Sequence, residues 1–250
     1  MINMIQFFEL TAHFHTQDFI KYGIIVFLIA YAIGNINPAI IFGWMNNIDI
    51  RKEGSGNAGM TNTIRVLGLG WGIAVFVVDV LKAFIAVKIA FNVSGGNHDA
   101  QFILCMCAFA GVVLGHCFPA LYGFKGGKGV AASLGAALAL NWQSALAAAS
   151  VAAVVFLISG RRMSIASIGA VITYPIFVFL FVEDKRFVFF AIAAVLFLIV
   201  QHAANIRRIA RGEEKALTIG HGVKHDNAGE KAGDKNDDTD AKEGTEDKEQ

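Results

Sequence analysis

Charge is scarce in this sequence: Asp, Glu, Lys and Arg make up 16% of its 250 residues, against 55% hydrophobic residues. So low a polar content excludes an ordinary soluble domain. Cysteine is nearly absent too. Cys105, Cys107 and Cys117 form no C-x-x-C pair, which argues against a metal or redox site and for reduced, buried thiols. No carboxylate cluster accompanies any loop, so no metal is expected. The start of the chain lacks a basic region and a small-residue cleavage site, so no cleaved signal is expected. A phosphate-binding P-loop is missing as well. Tyr122 stands where its first glycine belongs and Gly129 follows Lys128, which leaves no hydroxyl for Mg²⁺. ATP hydrolysis is therefore not expected.

The charge that is present divides the chain. Lys224–Gln250 holds five lysines against ten acidic residues, a local charge of −5. With +1 overall, residues 1–223 carry +6. The reading is a basic, apolar body from 19 to 214, a disordered acidic tail from 215 to 250, and an interfacial extension over 1–18. Seven apolar stretches fill the body: Phe19–Trp44, Trp71–Phe91, Phe102–Phe118, Val130–Leu140, Ser144–Ile158, Ile165–Val182 and Phe187–Val200. Most are long enough for a hydrocarbon layer of about 30 Å. Val130–Leu140 is too short, and predicts either a shallow helix or one shielded by protein. The fold class expected is an all-α integral membrane protein, a bundle of about seven transmembrane helices. Asp79 and Lys82, three apart in the second stretch, predict a buried ion pair, and Lys88 predicts a side chain reaching for the outer interface.

Cations orient the bundle. With the N-terminus outside, the inner loops hold Arg51, Lys52, Arg65, Lys125, Lys128, Arg161 and Arg162, followed by Arg207, Arg208 and Arg211. The outer turns hold only Lys185 and Arg186, with Lys21 near the first stretch. The glycine-rich loops then face the cytoplasm, as does the C-terminus.

Three polar clusters meet on that face. The densest is Gly115–Ser133, GHCFPALYGFKGGKGVAAS, with His116, Lys125, Gly126, Gly127, Lys128 and Gly129. Glycines let backbone N–H groups approach an anion, lysines add point charge, and the small-residue run that follows predicts a helix N-terminus aimed at the same spot. The plain alternative is a flexible basic turn. The second cluster is Gly54–Gly68, with Gly54, Ser55, Gly56, Asn57, Thr61, Asn62 and Arg65. The third is Gln201–Arg211, with His202 and Asn205 three apart on one helical face. Three such clusters converging predict a site for an anionic substrate.

GSGN-x-G-x-TN…R, GH-x-FP…GFKGGKGVA and H-x-x-N-I-x-R, in this order between apolar spans, resemble the bacterial acyl-phosphate:glycerol-3-phosphate acyltransferases (PlsY type) over Phe19–Glu214. Ala58 and Met60 replace the family's usual Pro and Ala, and Gln201, Ala203 and Ala204 depart from its third motif. The resemblance implies a multi-pass enzyme of the bacterial cytoplasmic (inner) membrane. It would move a fatty acyl group from acyl-phosphate to the sn-1 hydroxyl of glycerol 3-phosphate, giving lysophosphatidic acid and phosphate. Its partners would be those two substrates and membrane lipid, with no cofactor and no nucleic acid. Arg65 and Lys128 would clamp phosphates, Ser55 would position the reacting groups, and His202 and Asn205 would address the acyl phosphate, His202 being a possible general base. Gly54, Gly56, Asn57, Thr61, Asn62, His116, Lys125, Gly126, Gly127 and Gly129 would complete the substrate site.

A transporter for a phosphorylated solute would share the helices and cations. It predicts a mid-membrane site and inverted repeats, whereas the polar clusters lie at span ends and no repeat is visible. The H-x-x-x-x-D spacings His13/Asp18 and His221/Asp226 fall outside the apolar body and carry no weight.

Overall fold

The computed structural model describes residues 16–219, and among them every regular element is a helix. In chain order these are α1 (Thr16–Asn35), α2 (Pro38–Met45), α3 (Met60–Leu67), α4 (Leu69–Val93), α5 (His98–Cys117), α6 (Val130–Leu140), α7 (Trp142–Ile158), α8 (Met163–Phe181), α9 (Arg186–Gln201) and α10 (Ala203–Ala210). The expected extension over 1–18 and the acidic tail lie almost wholly outside the described residues, as do His13, His221 and Asp226.

The helices are inside-out by the standard of a soluble protein. Along α4 the residues Ile73, Val77, Leu81, Ile85 and Ile89, one turn apart, are each about half exposed. Asp79 on the same helix is 1% exposed and Lys82 7%. An apolar stripe outward and charge inward is the arrangement a hydrocarbon solvent selects. The protein is an integral membrane protein.

The seven apolar stretches all become helix, though not equally. Ile20–Met45, His98–Tyr122 and Met163–Phe181 are each long and apolar enough to cross a bilayer. Arg186–Gln201 with Ala203–Ala210 makes a fourth such span if the 64° bend between them is counted within one crossing. α4 has the length, 25 residues, but carries three charges. The first stretch, expected to be continuous, is divided. Asn37 caps the second piece by accepting from Ile40 N, and Pro38 opens it. The short α6 is shielded by protein: Ala132, Gly135, Ala136, Ala137 and Ala139 are buried, packed chiefly against α4 and α7. The polar, glycine-rich segment that separates the first two stretches contains α3.

Two features lock the bundle. Helices α1 and α5 cross at Gly111 and Gly115, where an added Cβ would lie 2.4 Å from Phe27 O and 2.3 Å from Tyr31 O. Small residues at this spacing let the backbones touch, the usual basis of packing where lipid supplies no hydrophobic drive. The second feature is polar. Lys82 Nζ donates to Asp79 Oδ1 at 2.8 Å and to the carbonyls of Gly34 and Ile36 at 3.1 and 2.6 Å. It thereby supplies partners to carbonyls left over where α1 ends. The predicted Asp79–Lys82 pair is present, and it serves the join between α4 and α1. Lys88 lies over the rings of Phe84 and Phe91.

Lys82→Met should therefore destabilise the bundle by about 3–5 kcal/mol, because it strands a buried carboxylate. The double variant Asp79→Asn/Lys82→Met should recover much of that loss. Thermal unfolding in detergent checks this, and a double variant no better than Lys82→Met contradicts the pairing.

Candidate functional site

The three polar clusters come together around one pocket of about 150 Å³, lined from the first by Ser55, Asn57, Thr61, Asn62 and Arg65. The second supplies His116, Lys128 and Gly129, and the third His202, Asn205 and Arg208. Gly54, Gly56, Lys125, Gly126 and Gly127 were expected here too, but they do not line the pocket. Lys125 is exposed.

The Gly-Lys loop is built differently from the expected anion cradle. Gly126 N and Gly127 N donate to the carbonyls of Cys117 and His116, at 3.1 Å each, so these N–H groups cap α5 rather than face an anion. Gly127 must be glycine for want of space, since a Cβ would come within 2.1 Å of His116 Nε2 and 2.8 Å of Ala58 O. Gly129 adopts φ +88°, open to glycine at little cost, and turns the chain into α6. With Val130 and Ala131 it brings the first turn of α6 into the pocket wall. Positive charge thus comes from the helix start and Lys128. Ala58 N donates to Gly126 O at 3.4 Å, which ties the first cluster to this loop.

Inside the first cluster, Asn62 is fully buried and acts as a pin. Its Oδ1 accepts from Ser55 N at 2.7 Å and from Ser55 Oγ at 3.1 Å, while its amide donates to Ile50 O and Glu53 O, both at 3.0 Å. Ser55 is thereby fixed in the pocket wall. Its hydroxyl engages an amide oxygen and not a histidine, so the geometry offers no base for a covalent serine route. Arg65, in the last turn of α3, reaches the carbonyls of Lys215 and Ala216 at 3.4 and 3.5 Å.

His116 is buried with Nδ1 at 3.0 Å from Asp79 Oδ1. The same Nδ1 is 3.2 Å from Lys82 Nζ, so it lies between a group that only accepts and one that only donates, and Nε2 is the nitrogen toward Gly127. His202 stands at the bend between α9 and α10. Its Nδ1 donates to Leu198 O at 2.8 Å, which leaves a lone pair on Nε2. Burial lowers this imidazole below its usual value despite that bond, so the neutral form prevails near pH 7.

The sequence reading missed two members and left a third without a role. Beyond α10 the chain turns at Gly212 and returns across the pocket, and Leu217 N donates to Arg161 O at 2.8 Å. Residues 215–217, expected to begin the disordered tail, belong to this strap. Glu214 is 6% exposed and accepts from Asn205 Nδ2 at 2.9 Å, from Arg208 Nε at 2.8 Å and from the Ser164 hydroxyl. Burial would raise its pKa, but these donors outweigh burial and hold it below the ordinary glutamate value. Asn205 Nδ2 also donates to Ser164 Oγ at 2.7 Å, and its Oδ1 accepts from Lys128 Nζ. A chain of contacts therefore joins Lys128, Asn205, Glu214 and Arg208. Ser164 could have been suspected only as a polar start to an apolar stretch, and Glu214 only as a carboxylate set apart from the tail. Arg208 was in a quoted motif without a role.

Comparison with known proteins gives a consistent picture. Residues 24–212 match the family model described as glycerol-3-phosphate acyltransferase. A glycerol-3-phosphate acyltransferase of Synechococcus elongatus is 38% identical over 194 residues, covering 76% of this chain and 92% of its own. One from Thermosynechococcus vestitus is 38% identical over 202 residues, covering 78% and 95%. Among solved structures, the glycerol 3-phosphate form of PlsY, an integral membrane glycerol 3-phosphate acyltransferase, superposes with a TM-score of 0.72 at 35% identity. It covers 78% of this chain and 96% of that one. The lysophosphatidic acid form gives 0.70 at 36% identity, with 78% and 94% covered.

Burial, with Arg208 and Arg65 nearby and Glu214 opposing them, lowers Lys128 to about 8. The protonated, anion-binding form is present below that value and lost above it. Sulfate, whose charge does not change in this range, should bind up to about tenfold more weakly at about pH 9 than at about pH 7. Lys128→Gln should abolish the dependence. Calorimetric titration with sulfate checks this, and equal affinity at both pH values contradicts it.

Proposed function

The chain belongs to the glycerol-3-phosphate acyltransferase family, membrane enzymes acting on glycerol 3-phosphate, and from that premise we propose that its acyl donor is an acyl phosphate and its product an sn-1 lysophosphatidic acid. The observation that carries this reading is a junction. The polar pocket, with Arg65, Lys128 and Arg208 in its wall, adjoins an apolar cavity of about 340 Å³, and Phe76, Val130, Met163 and Ser167 line both. A phosphate headed by an acyl chain matches that pair of compartments. A second phosphate, on the acceptor, explains three cations around so small a space.

In the reaction, the sn-1 oxygen of glycerol 3-phosphate attacks the acyl carbonyl carbon, the bond from that carbon to the phosphate oxygen breaks, and inorganic phosphate leaves. The hydroxyl proton passes to His202 Nε2, whose lone pair the Leu198 contact leaves available. Arg65 binds the acceptor phosphate as a planar fork, and Lys128 supplies point charge to the leaving phosphate. Asn205 holds Lys128 in place. Because the donor is already activated, orientation and electrostatic stabilisation supply most of the acceleration. Arg65, Lys128, Arg161, Arg162, Arg207 and Arg208 crowd the pocket end of the bundle. By the positive-inside rule that end faces the cytoplasm of a bacterial inner membrane, with the N-terminus outside.

Acyl phosphate, acyl-CoA and acyl carrier protein thioester, offered in parallel with glycerol 3-phosphate, should give product from acyl phosphate alone. Transfer from either thioester at a comparable rate would overturn the donor assignment. Arg65→Ala and Lys128→Ala should each lose at least about tenfold to 150-fold in rate, the worth of one charge-assisted hydrogen bond of roughly 1.5–3 kcal/mol. Arg65→Lys should restore little. Variants that fold and work within two- to threefold of the parent would remove the clamp.

A further inference from the structure

Along α8 the apolar cavity meets a second one. Farther along α8 from the polar pocket, this second cavity is smaller, about 100 Å³, and its wall includes Gln101, Asn141, Val178 and Val182. The two cavities have Phe109, Tyr174 and Ala194 in common, so these residues stand between them. Elsewhere the first cavity is walled largely by alanines, among them Ala148, Ala152, Ala166 and Ala170. Phe109 and Tyr174 are thus the two aromatic rings at the boundary between the cavities.

Phe109 is 4% exposed and meets Phe190 edge to face at 5.2 Å between centroids. Tyr174 directly precedes Pro175, which lies inside α8 and removes one backbone donor from the ladder at this level. From Met163, at the polar pocket, to Tyr174 is eleven residues of continuous helix. At 1.5 Å per residue that is about 16 Å, the extended length of roughly a dozen carbon–carbon bonds. Val178, in the second cavity, lies one helical turn farther, room for about four more carbons.

We infer that the Phe109–Tyr174 partition limits the length of the acyl chain this enzyme accepts, Tyr174 being the residue that sets it. The inference rests on the reading of the apolar cavity as the donor's chain site. An acyl phosphate seated at the polar pocket runs along α8 and meets the Tyr174 ring when its chain reaches about a dozen carbons. Longer chains must fold back or leave the protein for lipid, and gain nothing further from burial there. Removing the ring joins the two cavities and extends the buried path by about four carbons.

The test is kcat/KM for a series of saturated acyl phosphates, from eight to twenty carbons, with glycerol 3-phosphate saturating. The parent should rise with chain length to about twelve to fourteen carbons and then level or fall. Tyr174→Ala should move that optimum up by about four carbons, with gains approaching fourfold for each newly buried methylene. Tyr174→Phe, which keeps the ring, should retain the parent profile. Ala170→Leu, narrowing the channel one turn before the partition, should shorten the optimum, so the inference stays testable if Tyr174→Ala fails to fold. An unchanged optimum in Tyr174→Ala, or in Ala170→Leu where only that variant folds, would overturn the partition. A parent enzyme that accepts no acyl phosphate of any length would instead sink the donor assignment.

Discussion

Asp79, Lys82 and His116 form the contact on which the pocket depends. A charged pair within the hydrocarbon layer survives only if every donor and acceptor is met. Here the requirement is met by drawing three separate parts of the chain together. Lys82 holds the end of α1 through Gly34 O and Ile36 O, Asp79 holds His116 at the end of α5, and both sit on α4. The loop that follows α5 folds back on the same point, because Gly126 N and Gly127 N return to the carbonyls of Cys117 and His116. Lys128 is thereby delivered to the pocket by a backbone with little freedom of its own. A fixed cation loses less on binding an anion than a mobile one does.

The same economy explains why the pocket sits where a helix bundle changes character. Below it the walls are apolar, with alanine the commonest residue around the large cavity. Above it they are cationic. The boundary falls at Met163, Ser167, Val130 and Phe76, residues that belong to both spaces. A ligand half lipid and half phosphate is divided by that boundary without burying its charge or exposing its chain.

Much of this was legible in the amino-acid sequence, and the physical reason is that composition reports solvent. Apolar runs of bilayer length announce helices, and glycines, lysines and histidines that interrupt such runs have few other reasons to be there. Ser55, Arg65, Lys128, His202 and Asn205 belong to the three clusters found on that ground, the family resemblance singled them out, and the fold brings all five to one pocket wall. The sequence did not reveal how the glycine N–H groups are used. Gly126 and Gly127 have the composition of an anion nest, yet their donors cap a helix, and which of the two happens depends on the path of the chain behind them. Nor did the sequence reveal that Asn62, in the pocket wall, also pins the loop before it. Two of its contacts lie nine and twelve residues back along the chain, at Glu53 and Ile50, and no periodicity marks them. Helix α3 was missed because eight residues with four polar side chains give little apolar signal.

The strap that carries Glu214 was the hardest element to foresee, because nothing local compels it. Charged residues after the last apolar stretch read as the start of a solvated tail. Three-dimensional neighbours reverse that reading. The 64° bend at His202 swings α10 away from the line of α9, so that Asn205 and Arg208 face inward. Together with Ser164, on the first turn of α8, they then form a set of donors with no carboxylate among them. Glu214 is the carboxylate that answers them, and Arg162 Nε fixes its backbone carbonyl at 3.0 Å. One consequence follows for the electrostatics of the pocket. Lys128, Arg65 and Arg208 crowded together without an anion would repel one another and disfavour their own charged forms. Glu214 offsets that repulsion at Lys128 from behind Asn205, while the other side of the ammonium is left to the pocket.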